Sequence, residues 1–268
     1  MLLVLFVAAP GCIDKETRSP STNQGSATGS TVQQKAGPQF SFIVCGDPQN
    51  NYQVFDKVLE AAKSVDFMII AGDVTGSGTP TEFQNFISKM KASGVKYYCV
   101  PGNHDVASGP VDGIYSAYLG PPHQAFDHKN CHFVLIDNSI TSLGFYPQEQ
   151  QWVTDDLKTA KGKGYQHIFA VCHVAPGFPY SSRYDPSERI GMEANENLVP
   201  ILSSGNVEEL FCGHLHAYRQ SKEDGMLLTI TGGAGAPLHM VPQSGGYYHY
   251  VLVKIDGERR SQQVVKLE

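Results

Sequence analysis

The chain has 268 residues, 41% of them hydrophobic and 17% charged, enough to bury one large core in one catalytic-sized domain. Its formal net charge of -6 excludes a global attraction to nucleic acid or to anionic membranes. Any grip on an anionic partner must therefore come from local positive charge.

The first element, residues 1–12, is an uninterrupted apolar run from Met1 to Pro10 followed by Gly11 and Cys12. It is too short to span a bilayer and resembles the apolar part of a secretory signal. Small residues before Cys12 also resemble a bacterial lipobox, so an exported, lipid-anchored protein is expected, with Cys12 as the only membrane attachment. Residues 13–37 are rich in Ser, Thr, Gly and Gln and carry too little apolar surface for a core, which predicts a flexible polar linker. One folded domain is expected over 38–268.

From Pro38 onward, β-branched and aromatic runs alternate with helical patterns, the pattern of a layered α/β fold. Strands are predicted near 40–45, 66–71, 96–100, 131–136, 167–172, 207–212, 226–231, 247–255 and 262–267. Helices are predicted over Val54 to Ser64, Thr81 to Ser93, Pro147 to Thr159 and Asn195 to Leu202. The third helix opens on Pro at a first-turn position and places Trp152, Leu157 and Ala160 for burial. Apart from Cys12, the cysteines sit inside apolar runs, which reads as small core residues without a pairing scheme.

Polar residues cluster where these strands end. Asp47, Asp73, Asn103, His173 and His214 each follow a strand run by a few residues, and in open α/β sheets ligands gather beyond the carboxyl ends of strands. Singly, the motifs are ambiguous. Asp73 in Ala71-Gly72-Asp73-Val74 fits a helix cap or a turn as well as a metal ligand. Pro101-Gly102-Asn103-His104-Asp105 presents an amide oxygen, an imidazole and a carboxylate at a tight turn, or is only a turn. Gly213-His214-Leu215-His216 puts two imidazoles on one side of an extended segment, and His173 alone reads equally as a core histidine.

Taken in order, Gly-Asp-x-Gln at Gly46, Gly-Asp-x-x-x-x-Gly at Gly72, Gly-Asn-His-Asp at Gly102, a lone His173 and Gly-His-x-His at Gly213 resemble the calcineurin-like metallophosphoesterase family. The resemblance runs over most of Phe40 to His216, and the loop Thr231 to Gly235 with the strand after it is similar to that family's closing segment. It implies a four-layer α/β/β/α sandwich of two mixed β-sheets flanked by helices. It also implies two divalent metal ions, Mn, Fe, Zn or Mg, at one edge. Asp73 would bridge them, Asp47, Gln49 and His216 would complete the first site, and Asn103, His173 and His214 the second. His104 would not bind metal but would protonate the leaving group, with Asp105 beside it to orient or charge it. The implied reaction is hydrolysis of a phosphate monoester or diester by a metal-bridging hydroxide, the ions lying about 4 Å apart.

Two features set the sequence apart from the usual family pattern. The first motif is usually Asp-x-His, whereas Gln49 offers only a neutral amide oxygen, which favours Mn or Mg over softer ions at that site. Gly76 stands three residues after Asp73, where purple acid phosphatases carry a Tyr, which disfavours charge-transfer iron chemistry. The segment Pro176 to Met192 is the candidate specificity loop, with Arg183 to clamp a phosphate and Tyr184 to stack on a base or sugar, a solvated loop being the plain alternative. His239 and His249 read as surface or core residues near the closing loop. The expected substrate is a phosphorylated small molecule. A non-catalytic metal-binding scaffold and a nuclease are the rival functions; the chain keeps all but one of the expected ligand types and lacks a basic cluster near the motifs.

Overall fold

The computed structural model describes residues 37–107, 113–178 and 189–268. The signal-like segment, nearly all of the polar linker, Cys12, Arg183 and Tyr184 lie outside the described residues. No helix among the described residues is long and apolar enough to cross a membrane.

Two mixed sheets form the centre. The first has the order β11(Arg259–Lys266), β10(His249–Asp256), β1(Gln39–Cys45), β2(Phe67–Ile70), β3(Tyr97–Cys99), with β1, β2 and β3 parallel and β10 antiparallel to both of its neighbours. The second runs β4(Gln124–His128), β5(Cys131–Leu135), β6(His167–Val171), β7(Glu209–Cys212), β9(Met226–Thr231), β8(Tyr218–Glu223). Its four central strands are parallel and its two edges antiparallel.

Alternating side chains of these strands build an aromatic layer between the sheets, with Phe42, Phe67, Phe133, Phe169 and Phe211 all buried. Rings meet edge-on, as at Phe42 and Phe133, 5.2 Å apart and 87° inclined. The opposite faces are covered by helices. On the first sheet lie α1(Tyr52–Ala62), α2(Pro80–Ser93) and α3(Ile114–Leu119), and on the second α4(Pro147–Lys163) and α6(Leu198–Ser204). The four-layer sandwich is therefore present as expected.

Helix boundaries follow local chemistry. Phe55, Val58, Leu59 and Ala62 give α1 one apolar face at helical spacing. In α2, Thr79 and Glu82 form a capping box ahead of Pro80 at the first position, and Gly94 ends the helix at φ 68°. α4 buries Val153, Leu157 and Ala160, but Trp152 is only half-buried and stacks on the His123 ring at 4.4 Å. The expectation of a core Trp is corrected: at its position on the helix the indole covers the rim of the core.

Three described elements have no strong sequence signal: α3, β4 and β8, and α5(Arg189–Asn195) falls where a loop is expected. β8, with the sequence YRQSKE, is a polar edge strand held by its pairing with β9, so no apolar alternation marks it. The cysteines among the described residues are all buried and free, as their apolar surroundings predict.

One polar knot ties the edge of the second sheet to its helix. His132 on β5 is buried; its Nδ1 lies 2.6 Å from Asp127 Oδ1 of β4 and its Nε2 2.7 Å from Asp156 Oδ2 of α4. Burial alone would lower the imidazole pKa, but the hydrogen bonds and charges of Asp156 and Asp127 raise it. Because the folded pKa is the higher one, the charged pair stabilises the fold below the unfolded value of about 6.5 and ceases to do so as pH rises through the folded value. We expect the gap in Tm between wild type and His132→Gln to narrow between about pH 6 and pH 9. A gap that stays constant over that range would refute this account.

Candidate metal centre

The loops after β1, β2, β3, β6 and β7 converge on one edge of the sandwich. Several donor residues there adopt a left-handed backbone: Asp47 at φ 62°, Gln49 at 39°, Asp73 at 54° and His214 at 67°. Such conformations cost about 1 kcal/mol or more each for residues other than glycine. They are held by cross-loop hydrogen bonds, including Asp47 N to Gly72 O at 3.1 Å and Gly213 N to His173 O at 3.0 Å. Two glycines make the close approach possible. A Cβ on Gly102 would occupy the Asp73 carboxylate, and one on Gly213 would lie 2.6 Å from Asp47 Oδ2.

Asp47, Asp73 and His173 are fully or almost fully buried and offer ligand atoms within 4.8 Å of one another. Asn103 Oδ1 is 3.0 Å from both His173 Nε2 and His214 Nδ1, while His173 Nε2 is 3.4 Å from Asp73 Oδ1. On the other side His216 Nε2 is 3.4 Å from Asp47 Oδ1. The candidate ligand atoms thus gather at one edge around Asp47, Asp73 and His173.

The tautomers are set from outside. His173 Nδ1 lies 2.8 Å from the Ala71 carbonyl and His216 Nδ1 lies 2.7 Å from the Pro237 carbonyl. A carbonyl can only accept, so each Nδ1 carries the proton and each Nε2 is left to bind a cation. Burial opposes the charge on His173, but Asp73 foremost, then Asp47, raises its pKa to about 10. His216 is likewise raised by Asp47 against the effect of burial. The mixture of carboxylate, imidazole and amide oxygen in this pocket suits divalent metal.

The remaining expected site residues separate into two sets. Gln49 is close, and its Nε2 donates to Asp73 Oδ2 at 2.9 Å, so the amide steadies that carboxylate. His104 sits beside it, its backbone N donating to Asp73 Oδ1 at 2.9 Å and its Nδ1 2.7 Å from the Gly76 carbonyl. Asp105 is corrected. Its buried carboxylate accepts from Gly102 N at 2.9 Å, Val74 N at 3.2 Å, and Thr75 N and Oγ1 at 2.8 and 2.7 Å. These bonds clamp the second and third motif loops together instead of orienting the His104 ring. Burial and the Asp73 charge raise its pKa to about 7.

Sequence reasoning did not reach Asn138. Its Oδ1 accepts from His173 N at 3.0 Å and Val174 N at 3.1 Å, and its Nδ2 donates to Val174 O at 2.7 Å, which sets the backbone under His173. Its position just after a strand run was the available signal. His239 is exposed, in keeping with a surface residue, and its ring stacks on His216 at 3.9 Å. His249 is buried, and burial lowers its pKa to about 4.

The chain is similar to a 3',5'-cyclic-nucleotide phosphodiesterase of Nostoc sp., 27% identical over 167 residues that make up 61% of this chain and 60% of that protein. It is also similar to purple acid phosphatase 22 of Arabidopsis thaliana, 21% identical over 69% of this chain and 45% of that one. It therefore spans about 60% and 45% of the length of these relatives. Among solved structures, a purple acid phosphatase from yellow lupin seeds shares the fold with a TM-score of 0.69 at 13% identity, over 86% of this chain and 52% of that one. The sequence profile described as calcineurin-like phosphoesterase matches residues 40–218, a stretch that holds every candidate metal ligand named above. By that match, most of its length, the chain belongs to the calcineurin-like phosphoesterase family.

Proposed function

We propose that the protein hydrolyses a phosphate monoester or diester of a small molecule with two divalent metal ions, Mn, Fe, Zn or Mg. The observation that carries this reading is the pair of buried imidazoles, His173 and His216, each fixed by a backbone carbonyl with Nε2 turned to a carboxylate. Asp47 and His216 would hold one ion, Asn103, His173 and His214 the other, and Asp73 both. Gln49 would complete the first site through its amide oxygen. When bound, the ions supply the positive charge that the acidic chain lacks and lower the pKa of water at the site.

The protein's own groups do the rest. His104 keeps its Nδ1 proton on the Gly76 carbonyl, which leaves Nε2 as the atom that delivers a proton to the departing oxygen. Asp105 is a positioning residue, holding the Asp73 and Asn103 loops in register through buried hydrogen bonds.

The test is hydrolysis of p-nitrophenyl phosphate and bis-p-nitrophenyl phosphate with Mn added, alongside metal analysis of the purified protein. Cleavage of either ester by metal-loaded protein, lost with chelator and restored by Mn, is the expected result. If neither ester is cleaved and no metal is retained, the reading is wrong.

A further inference from the structure

Glu82 lies on α2, outside the donor groups, yet it reaches the His104 side of the site through the backbone. Its role as a helix cap accounts for only part of its contacts. Oε2 accepts from Thr79 N at 3.0 Å and Thr79 Oγ1 at 2.8 Å, which completes the capping box. Oε1 instead accepts from Asn50 Nδ2 at 2.7 Å, and Asn50 is the residue next to Gln49 in the first motif. The same carboxylate lies against the Gly76 backbone. Burial would raise the Glu82 pKa, but Thr79, Asn50 and the Gly76 N–H together lower it.

Gly76 is the residue whose carbonyl takes the His104 Nδ1 proton, 2.7 Å away. It lies in the Thr75 to Ser77 bend, in neither a helix nor a strand. A Cβ at this position would lie 3.2 Å from Asn50 Nδ2 and 3.3 Å from Glu82 Oε1, tighter than ordinary contact. The absent side chain is what lets the carboxylate and the amide close over this backbone. A glycine in a bend has the most conformational freedom to lose, so its carbonyl direction depends on what grips its other side.

We propose that Glu82 is a positioning residue for His104: with Asn50 it closes over the Gly76 backbone, so that the Gly76 carbonyl holds Nδ1–H and leaves Nε2 as the proton donor. Asn50 shares the grip and couples it to the loop that carries Asp47 and Gln49. The inference rests on the reading of His104 as the group that protonates the leaving oxygen.

The experiment compares two esters that differ only in the departing group, p-nitrophenyl and phenyl. p-Nitrophenolate leaves without help, whereas phenolate is the stronger base and gains more from a proton. Glu82→Ala is expected to lower kcat on the phenyl ester about 10-fold, a fraction of the 10²–10⁴ typical of such proton transfer. On the p-nitrophenyl ester it should change kcat by less than about 3-fold, with KM and metal content unchanged. His104→Ala should shift the ratio of the two rates in the same direction and further.

Thr79→Val is the control, since it weakens the cap but leaves Oε1 on Asn50; its ratio should stay that of wild type. Equal slowing of both esters by Glu82→Ala, or a Thr79→Val shift as large as that of Glu82→Ala, overturns the proposal. If Glu82→Ala does not fold, Glu82→Gln serves, since it keeps the size and loses one acceptor oxygen; an unmoved ratio there also overturns it. If His104→Ala itself leaves the ratio unmoved, the assignment of His104 fails. If His104→Ala moves it and the Glu82 variants do not, only the role of Glu82 fails.

Discussion

Asp73→Asn is expected to cut hydrolysis on the order of 10³-fold, about 4 kcal/mol of transition-state stabilisation, and to lower the metal retained by the purified protein. The substitution changes no shape. It replaces a buried carboxylate, 1% exposed, by a neutral amide within the cluster of Asp47, Asp73 and His173. In the folded protein that carboxylate takes the backbone N–H of His104 and the amide of Gln49, and it faces His173 at 3.4 Å. Burial opposes its charge, but His173 above all, with His104, keeps its pKa below the ordinary carboxylate range. A neutral amide forfeits the attraction for a dication while the other ligands remain. Metal analysis and rates on p-nitrophenyl phosphate check the result. Wild-type metal content with wild-type rate would remove Asp73 from the centre.

The second large effect lies at the opposite end of the sandwich. Arg260→Ala should cost about 3–5 kcal/mol of stability, because it leaves Glu209 as a buried carboxylate without its partner. Glu209 on β7 is 0% exposed and is paired with the Arg260 guanidinium of β11, so the pair joins one sheet to the other. Thr229 donates to the same carboxylate, as does Gln262 Nε2 at 3.2 Å, and the guanidinium lies 5.3 Å above the Phe169 ring. Burial raises the Glu209 pKa even against the Arg260 charge. Without Arg260 the folded state would bind a proton there more tightly than the unfolded state. The loss in Arg260→Ala should therefore shrink as pH falls toward the folded pKa. Urea denaturation at neutral and mildly acidic pH measures both the loss and its direction. The double substitution Glu209→Leu with Arg260→Met should recover much of it, since replacing both members of a buried pair with apolar groups is often close to neutral. A single-variant loss under about 1 kcal/mol would mean that the pair is effectively solvated.

The candidate ligands at this edge stand out in the sequence because each directly follows an apolar strand run. Phe42 to Cys45 precedes Asp47, Phe67 to Ala71 precedes Asp73, and Phe169 to Cys172 precedes His173. In parallel strands that local order alone places donors at one end of a sheet. β8 escaped because its polar residues pair at an edge, where a strand needs a neighbour's hydrogen bonds more than it needs apolar side chains. Trp152 escaped because a helical period gives a direction but not the depth of the layer it points into.

The division between sequence and tertiary structure follows the distance along the chain over which each contact acts. Residue types, their order and the position of each after its strand are local, so the family resemblance and the layered fold class could be read from one dimension. Which atom of each donor faces the pocket is not local. Asp47 takes the His214 N–H from 167 residues away, and the carbonyl that fixes the His173 tautomer belongs to Ala71, 102 residues earlier. Adjacency in sequence misled at Asp105, which stands next to His104 but spends its carboxylate on Thr75 and Val74 across the loop. Hydrogen bonding is directional over about 3 Å, so such partners exist only once the two sheets have packed and brought their strand ends together.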